Sequence, residues 1–224
     1  MKSDFRYERK FIINDFTIPQ IENLLRNSKL HFKKSYPQRS VNSIYFDDSV
    51  SSSILENLDG NNFKTKYRLR WYGDKKIIYL PVFEVKNKHG YLNFKKINKL
   101  QILKPLKFNK SNIDFILKKL KIKNDFLVNK IPISSTHYNR LYFISSYYNI
   151  RATLDFNINY FNLQNNLNFN LNKFSKSVIL EIKYSNEKDF WVRESLNNIS
   201  LRISKNSKYL NSLIEHPYKM MWLN

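Results

Sequence analysis

Apolar and polar residues alternate along much of this chain with a period of two, the spacing of side chains on the two faces of a β-strand. Eight segments carry the alternation: Phe5 to Ile13, Val41 to Phe46, Lys66 to Trp71, Ile77 to Lys86, Tyr91 to Lys95, Thr136 to Phe143, Ile150 to Asn157 and Val178 to Tyr184. Gly73-Asp74 and His89-Gly90 fall at hairpin turns and Asp59-Gly60 just before a strand, which favours antiparallel pairing. Helical signals are fewer. Thr17-Ile18-Pro19-Gln20 has the form of a capping box with proline in the first turn, and predicts a helix to about Ser28. Ser111 to about Lys121 places Ile113, Ile116, Leu117 and Leu120 on one stripe, and a third helix spans roughly Glu187 to Asn197. Asn159 to Ser175 is aromatic and Asn-rich without a clear period and reads as a hairpin or irregular cover. No repeat or Pro/Ser/Gly-rich linker divides the chain, so residues 1–224 are expected to form a single domain.

Within each strand one face is apolar and the other ionic. Phe5, Tyr7 and Phe11 oppose Arg6, Glu8 and Lys10; Tyr67, Leu69 and Trp71 oppose Lys66, Arg68 and Arg70. Phe83 and Val85 oppose Glu84 and Lys86, while Ile150, Ala152 and Leu154 oppose Arg151, Thr153 and Asp155. Leu180 and Ile182 oppose Glu181 and Lys183, and Arg140 falls between Asn139 and Leu141. A single such strand describes an ordinary sheet with one solvated face. Taken together the faces are unusual, because they repeat Arg-x-Arg once and Glu-x-Lys three times where solvated strands usually mix Thr, Ser, Gln and Lys. If eight antiparallel strands close into a barrel, one face becomes the interior. Apolar-in gives a packed barrel with a charged exterior; ionic-in gives a polar tunnel whose apolar exterior needs the amphipathic helices packed against it. In the second case nine cations (Arg6, Lys10, Lys66, Arg68, Arg70, Lys86, Arg140, Arg151, Lys183) meet four carboxylates (Glu8, Glu84, Asp155, Glu181). Confining that excess costs several kcal/mol per unbalanced charge unless a polyanion and a metal ion fill the space.

Composition sharpens this. The 224 residues carry 39 Lys plus Arg against 18 Asp plus Glu, a formal charge of +21, which points to a polyanionic partner. Richness in Asn, Lys and Ile is also what AT-rich coding produces, so the placement of the cations matters more than their number. A hydrophobic fraction of 42% excludes wholesale disorder. The absence of cysteine excludes disulfides, thiolate zinc sites and a cysteine nucleophile. The three glycines lie too far apart for a P-loop or dinucleotide fingerprint, so side chains must hold any phosphates. The longest apolar run, Ile77 to Phe83, is too short for a membrane span, and the start of the chain shows no export signal, so a cytoplasmic protein is expected. His31, His89, His137 and His216 show no metal or triad spacing.

Several segments in this order resemble the VTC-type polyphosphate polymerase domain, within the CYTH-like triphosphate tunnel metalloenzymes. They are Arg6-Tyr7-Glu8-Arg9-Lys10-Phe11, Ser43-Ile44-Tyr45-Phe46-Asp47, Arg68-Leu69-Arg70-Trp71-Tyr72-Gly73, Phe83-Glu84-Val85-Lys86, Tyr138-Asn139-Arg140, Arg151-Ala152-Thr153-Leu154-Asp155, Leu180-Glu181-Ile182-Lys183 and Ser207-Lys208-Tyr209. The resemblance implies an α+β fold, an eight-stranded antiparallel β-barrel tunnel with helices packed outside. It further implies a divalent metal and transfer of the ATP γ-phosphoryl group to a growing inorganic polyphosphate chain. It makes Lys10, Arg68, Arg70, Lys86, Arg140, Arg151 and Lys208 phosphate-binding and Glu181 a metal ligand. The first acidic position of the Glu-x-Glu-x-Lys pattern common in tunnel enzymes is Arg6 here, a departure that favours the polymerase branch.

Lys10, Arg68, Arg70 and Lys86 are expected to act on the transferring group, and Lys66, Lys95, Arg140, Arg151, Lys183, Lys208 and Tyr138 to grip successive phosphates, Lys95 being preferred to Lys96 by alternation with Leu92 and Phe94. Glu181, Glu8 and Glu84 are the candidate ligands for Mn²⁺ or Mg²⁺, hard ions that select carboxylates. ATP and inorganic polyphosphate are the expected partners. A triphosphatase of the same fold and a non-enzymatic polyphosphate sensor are the alternatives. A nucleic-acid-binding sheet would need aromatics on the basic face, whereas Tyr67, Leu69, Trp71, Phe83 and Val85 lie opposite it, so nucleic acid is not expected. Tyr45 and Asp47 serve either to position substrate or as a buried Tyr and a turn carboxylate, and Ser207-Lys208-Tyr209 equally suits the cap of a C-terminal helix.

Overall fold

The alternating segments are strands in the computed structural model, which describes residues 6–48, 63–89, 92–100, 102, 104–121, 127–145, 149–163, 171–197 and 201–214. In chain order the strands are β1 (Arg6–Ile13), β2 (Phe32–Asp47), β3 (Phe63–Tyr72), β4 (Ile77–Ile78), β5 (Val82–His89), β6 (Leu92–Lys99), β7 (Leu106–Lys107), β8 (Ile131–Ser145), β9 (Arg151–Asn162), β10 (Leu171–Ser175) and β11 (Val178–Ser185). The helices are α1 (Ile18–Asn27), α2 (Lys110–Lys121), α3 (Asp189–Asn197), entered through a 3₁₀ turn at Asn186–Lys188, and α4 (Lys208–Ile214). The fold is α+β and mostly antiparallel sheet. Phe5, Tyr91 and the turn residues Asp59, Gly60 and Gly90 lie outside the described residues.

Local chemistry accounts for most boundaries. The capping box forms at the start of α1, where the Thr17 amide donates to Gln20 Oε1 at 2.7 Å. β5 and β6 pair directly as a hairpin, His89 opposite Leu92. The segment from Ile77 to Lys86 is two strands instead of one, because Leu80 adopts φ 44° just before Pro81 and breaks the ladder. β4 therefore pairs with β7 and β3 with β2 and β5, so Gly73-Asp74 does not close a hairpin. Gly73 takes φ 95°, a conformation favouring glycine, and its amide donates to Ser40 O. In the aromatic, Asn-rich stretch β9 continues to Asn162 and β10 pairs with it.

The main sheet has the order β1-β11-β9-β8-β2-β3-β5-β6, with β10 added on β9. The expected closed barrel is not present. Closure requires the end strands to share a ladder, and β1 and β6 share none among the described residues. The outer edge of β1 is already used: Phe11 bridges Ile203, the Ser204 amide donates to Lys10 O at 2.8 Å, and the Ile12 amide donates to Ser204 Oγ at 3.0 Å.

Two compact units are formed, each from several stretches of chain. The first comprises residues 1–39, 138–158 and 175–207, the second residues 40–137, 159–174 and 208–224. Each has its own core made from the apolar strand faces. In the first, Phe11, Leu154, Leu180 and Ile182 pack with Ile21 and Leu25 of α1 and Val192 of α3. In the second, Ile44, Phe46, Leu69, Trp71, Phe83 and Val85 pack with Ile113, Ile116, Leu117 and Leu120 of α2. Those four α2 side chains bury on the order of 1.5–3 kcal/mol each before the helix's ordering entropy is counted. Helices thus cover the apolar face in both units, which leaves the ionic face of each sheet turned away from its core.

Candidate functional site

In the first unit the ladder registers bring charges from distant segments opposite one another. β1 pairs with β11 so that Lys10 faces Glu181 and Glu8 faces Lys183. Their side chains alternate in sign around a ring. Lys10 Nζ lies 2.7 Å from Glu8 and 3.8 Å from Glu181, while Lys183 Nζ lies 3.6 Å from Glu8 and is paired with Glu181. Burial would raise the Glu181 pKa, but Lys183, Lys10 and Arg140 outweigh it and hold the carboxyl well below its ordinary value. Lys10 Nζ also donates to Asn206 O at 3.0 Å. Beside the ring Arg140 grips Asp155 with two hydrogen bonds, of 2.5 and 2.8 Å, and lies over the ring of buried Tyr138 at 5.3 Å. Burial opposes the Arg140 charge, yet Asp155 and Glu181 raise its pKa well above the usual value. Thr153, opposite Glu181 in the ladder, has a buried hydroxyl without a hydrogen-bond partner.

The second unit carries a comparable ionic face. Arg68 of β3 lies opposite Glu84 of β5 and donates to it through Nε at 2.8 Å and through Nη2. Lys66 faces Lys86, Lys86 faces Lys95 on β6, and Arg70 faces Ser43 on β2. The Ser43 hydroxyl is buried and unpartnered. Below these, wholly buried Asp47 accepts a hydrogen bond from Tyr209 of α4, and Lys130 reaches Asp47 at 3.4 Å and Asp48 at 3.2 Å. Burial and the Asp47 carboxylate together push the Tyr209 pKa up. Burial lowers that of Lys130, but Asp48 and Asp47 raise it more. Lys66 lies over the Tyr209 ring at 5.9 Å, and the Tyr45 ring packs on Tyr209 at 5.2 Å.

The model of the VTC domain aligns with residues 5–214, a span that contains both faces. The chain belongs to the VTC domain family. No curated protein sequence matches it. Solved structures share the fold at low identity. A candidate adenylate cyclase from Vibrio parahaemolyticus has TM-score 0.55 and 12% identity, covering 93% of this chain and 97% of its own. A candidate adenylate cyclase from Bacillus halodurans has TM-score 0.54 and 14% identity, covering 92% and 95%.

Set on this VTC domain, the residues expected from sequence divide between two clusters. Lys10, Arg140, Arg151, Lys183, Tyr138, Glu8 and Glu181 belong to the first unit; Lys66, Arg68, Arg70, Lys86, Lys95, Lys208 and Glu84 belong to the second. The structure brings Glu8 and Glu181 together through their shared lysines, whereas Glu84 is held by Arg68. Tyr138 is buried beneath Arg140 and Arg151 is exposed. Of Lys95 only the ladder position is described. Asp47 is a buried carboxylate that anchors α4, whose first residue is Lys208. Lys130 was missed by sequence reasoning; it precedes β8 and has no periodic pattern to mark it.

The donor set also limits what metal could be held. Among the described residues no three His, Cys, Asp or Glu side chains converge, which excludes an all-protein cage there. Two carboxylates on adjacent strands fit Mg²⁺ or Mn²⁺ bound through one or two carboxylates plus substrate phosphates and water. The unpartnered Thr153 hydroxyl beside Glu181 is a further hydrogen-bonding group for such a ligand.

Proposed function

We propose that this VTC domain is an ATP-dependent inorganic polyphosphate polymerase. The observation that carries the reading is the VTC match across residues 5–214, and the two ionic sheet faces supply suitable chemistry. A terminal phosphate oxygen of the polyphosphate chain attacks the γ-phosphorus of ATP, the bond from that phosphorus to the β–γ bridging oxygen breaks, ADP leaves and the chain lengthens by one phosphate. The attacking oxygen is already anionic at neutral pH, so no protein nucleophile is needed. Catalysis then rests on alignment and on neutralising charge spread over the phosphoryl oxygens.

Each face has groups suited to this chemistry. In the first unit Glu8 and Glu181 would hold the divalent ion, which neutralises triphosphate oxygens when bound, and Lys10 and Lys183 would move from the carboxylates to the phosphates. Arg140 is fixed by Asp155 and presents a preset positive edge. In the second unit Arg68, Arg70, Lys66 and Lys86 hold phosphates, Arg68 being oriented by Glu84. The test incubates purified protein with ATP and Mn²⁺ and resolves products by length, with Lys10→Ala and Arg68→Ala as controls. Ladders that shorten or vanish in both variants support the polymerase. Free phosphate without chains assigns a triphosphatase, and tight polyphosphate binding without turnover assigns a sensor; either result overturns the proposal.

A further inference from the structure

Along β8 the residues flanking Tyr142, Leu141 and Phe143, are core residues of the first unit, so Tyr142 shares the opposite face with Arg140. There it meets two residues from the part of β2 that lies in the same unit. The Tyr36 and Tyr142 rings meet edge to face with centroids 5.8 Å apart, and the Arg39 guanidinium lies 5.7 Å from the Tyr36 centroid and 5.6 Å from that of Tyr142. Tyr36 is 61% exposed, so its ring is accessible to a ligand. An aromatic and cationic platform therefore adjoins the ionic face, whereas Phe11, Trp71 and Phe83 on other strands point to the cores.

We infer that Tyr36, Tyr142 and Arg39 form a stacking platform for the nucleobase of the triphosphate donor. This rests on the reading that the Arg140 side of the sheet binds that donor's phosphates. Spacing supports it: residues two apart on a strand are about 6.6 Å apart, which is the scale separating a nucleotide's base from its nearer phosphates. Chemistry supports it too. Every base has a π-face that stacks on a tyrosine, and an arginine held beside the ring adds a cation–π contribution without demanding one base. The platform gives this sheet a means to prefer a nucleoside triphosphate over an inorganic chain of equal charge.

The experiment measures wild-type affinity for ATP and for inorganic tripolyphosphate by calorimetry at one Mg²⁺ concentration, then repeats both with Tyr36→Ala, Tyr36→Phe and Arg39→Gln. Tyr36 is exposed, so its replacement leaves the core intact. Stacking of about 1–3 kcal/mol per base predicts that Tyr36→Ala weakens ATP about 5- to 150-fold. Tripolyphosphate binding should stay unchanged, and Tyr36→Phe should restore ATP binding. Arg39→Gln should weaken ATP more than tripolyphosphate. Wild-type binding of tripolyphosphate with ATP no tighter, or an equal loss of both ligands in Tyr36→Ala, overturns the platform and leaves phosphate binding standing. Binding of neither ligand overturns both.

Discussion

Replacing Asp155 with asparagine removes one charge from a deeply buried ion pair of the first unit while keeping the side chain's shape. Asp155 is fully buried and the Arg140 side chain is 13% exposed, so the guanidinium left behind cannot recover its lost counter-ion from bulk water. Removing one partner of a buried pair costs about 3–5 kcal/mol, chiefly because the other charge stays desolvated. The asparagine oxygen still accepts one hydrogen bond, and Glu181 still acts on Arg140, so the expected loss is at the lower end, about 3 kcal/mol. With a urea slope of about 1–3 kcal/mol per molar, the unfolding midpoint should fall by about 1–3 M. The double variant Arg140→Met with Asp155→Leu removes both charges, and it should regain most of that stability because buried pairs are often no better than packed apolar side chains. Its polymerase activity should stay low, since the fixed cationic edge is gone. A midpoint for Asp155→Asn within about 0.3 M of the unaltered protein, at equal slope, would refute the argument that this pair is desolvated.

Two further outcomes follow from the same physics. Glu181 has a folded pKa well below its ordinary value, so it contributes stability that is present above the unfolded pKa and is lost as pH falls through the folded one. Glu181→Gln should therefore be less stable than the parent at pH 7, with the gap narrowing below about pH 4.5; urea midpoints at three pH values check this, and a gap constant with pH contradicts it. Tyr209→Phe deletes the hydroxyl that donates to buried Asp47 and should cost about 1.5–3 kcal/mol, the range for a hydrogen bond to a charged group. Urea unfolding reads that loss, and a change below about 0.5 kcal/mol would mean that Lys130 and the Asp48 amide suffice for the carboxylate.

What could be read from the chain depended on whether burial was one-sided. Lys66 to Trp71 buries one face under a helix, and one-sided burial imposes the period of two that marks a strand. The first half of β2 is mostly exposed on both sides, which imposes no period, so Phe32 to Ser40 gave no signal despite forming a regular strand. The opposite fault occurred at Ile77 to Lys86, where alternation continued across a backbone break that only the positive φ at Leu80 reveals. Barrel closure was likewise inferred from strand number, while the decision lay with residues 203–204, an irregular segment that takes up the edge of β1.

The candidate site shows the same limit in electrostatic form. Alternation correctly put Glu8 with Lys10 and Glu181 with Lys183 on one face, but their neutralisation of one another depends on a register joining segments more than 160 residues apart. Counting nine cations against four carboxylates treats all charges as equally available, and they are not. In the first unit Glu8, Glu181 and Asp155 pair with Lys10, Lys183 and Arg140, three against three, with exposed Arg151 outside those pairs, whereas in the second Glu84, Asp47 and Asp48 face Lys66, Arg68, Arg70, Lys86 and Lys130, three against five. The first cluster is thus suited to exchanging lysines for a metal ion at its carboxylates, and the second to holding an excess of phosphate charge. Salt should discriminate between them, because a face with surplus cations loses polyanion affinity as ionic strength rises, while a ring of matched charges has little net field to screen.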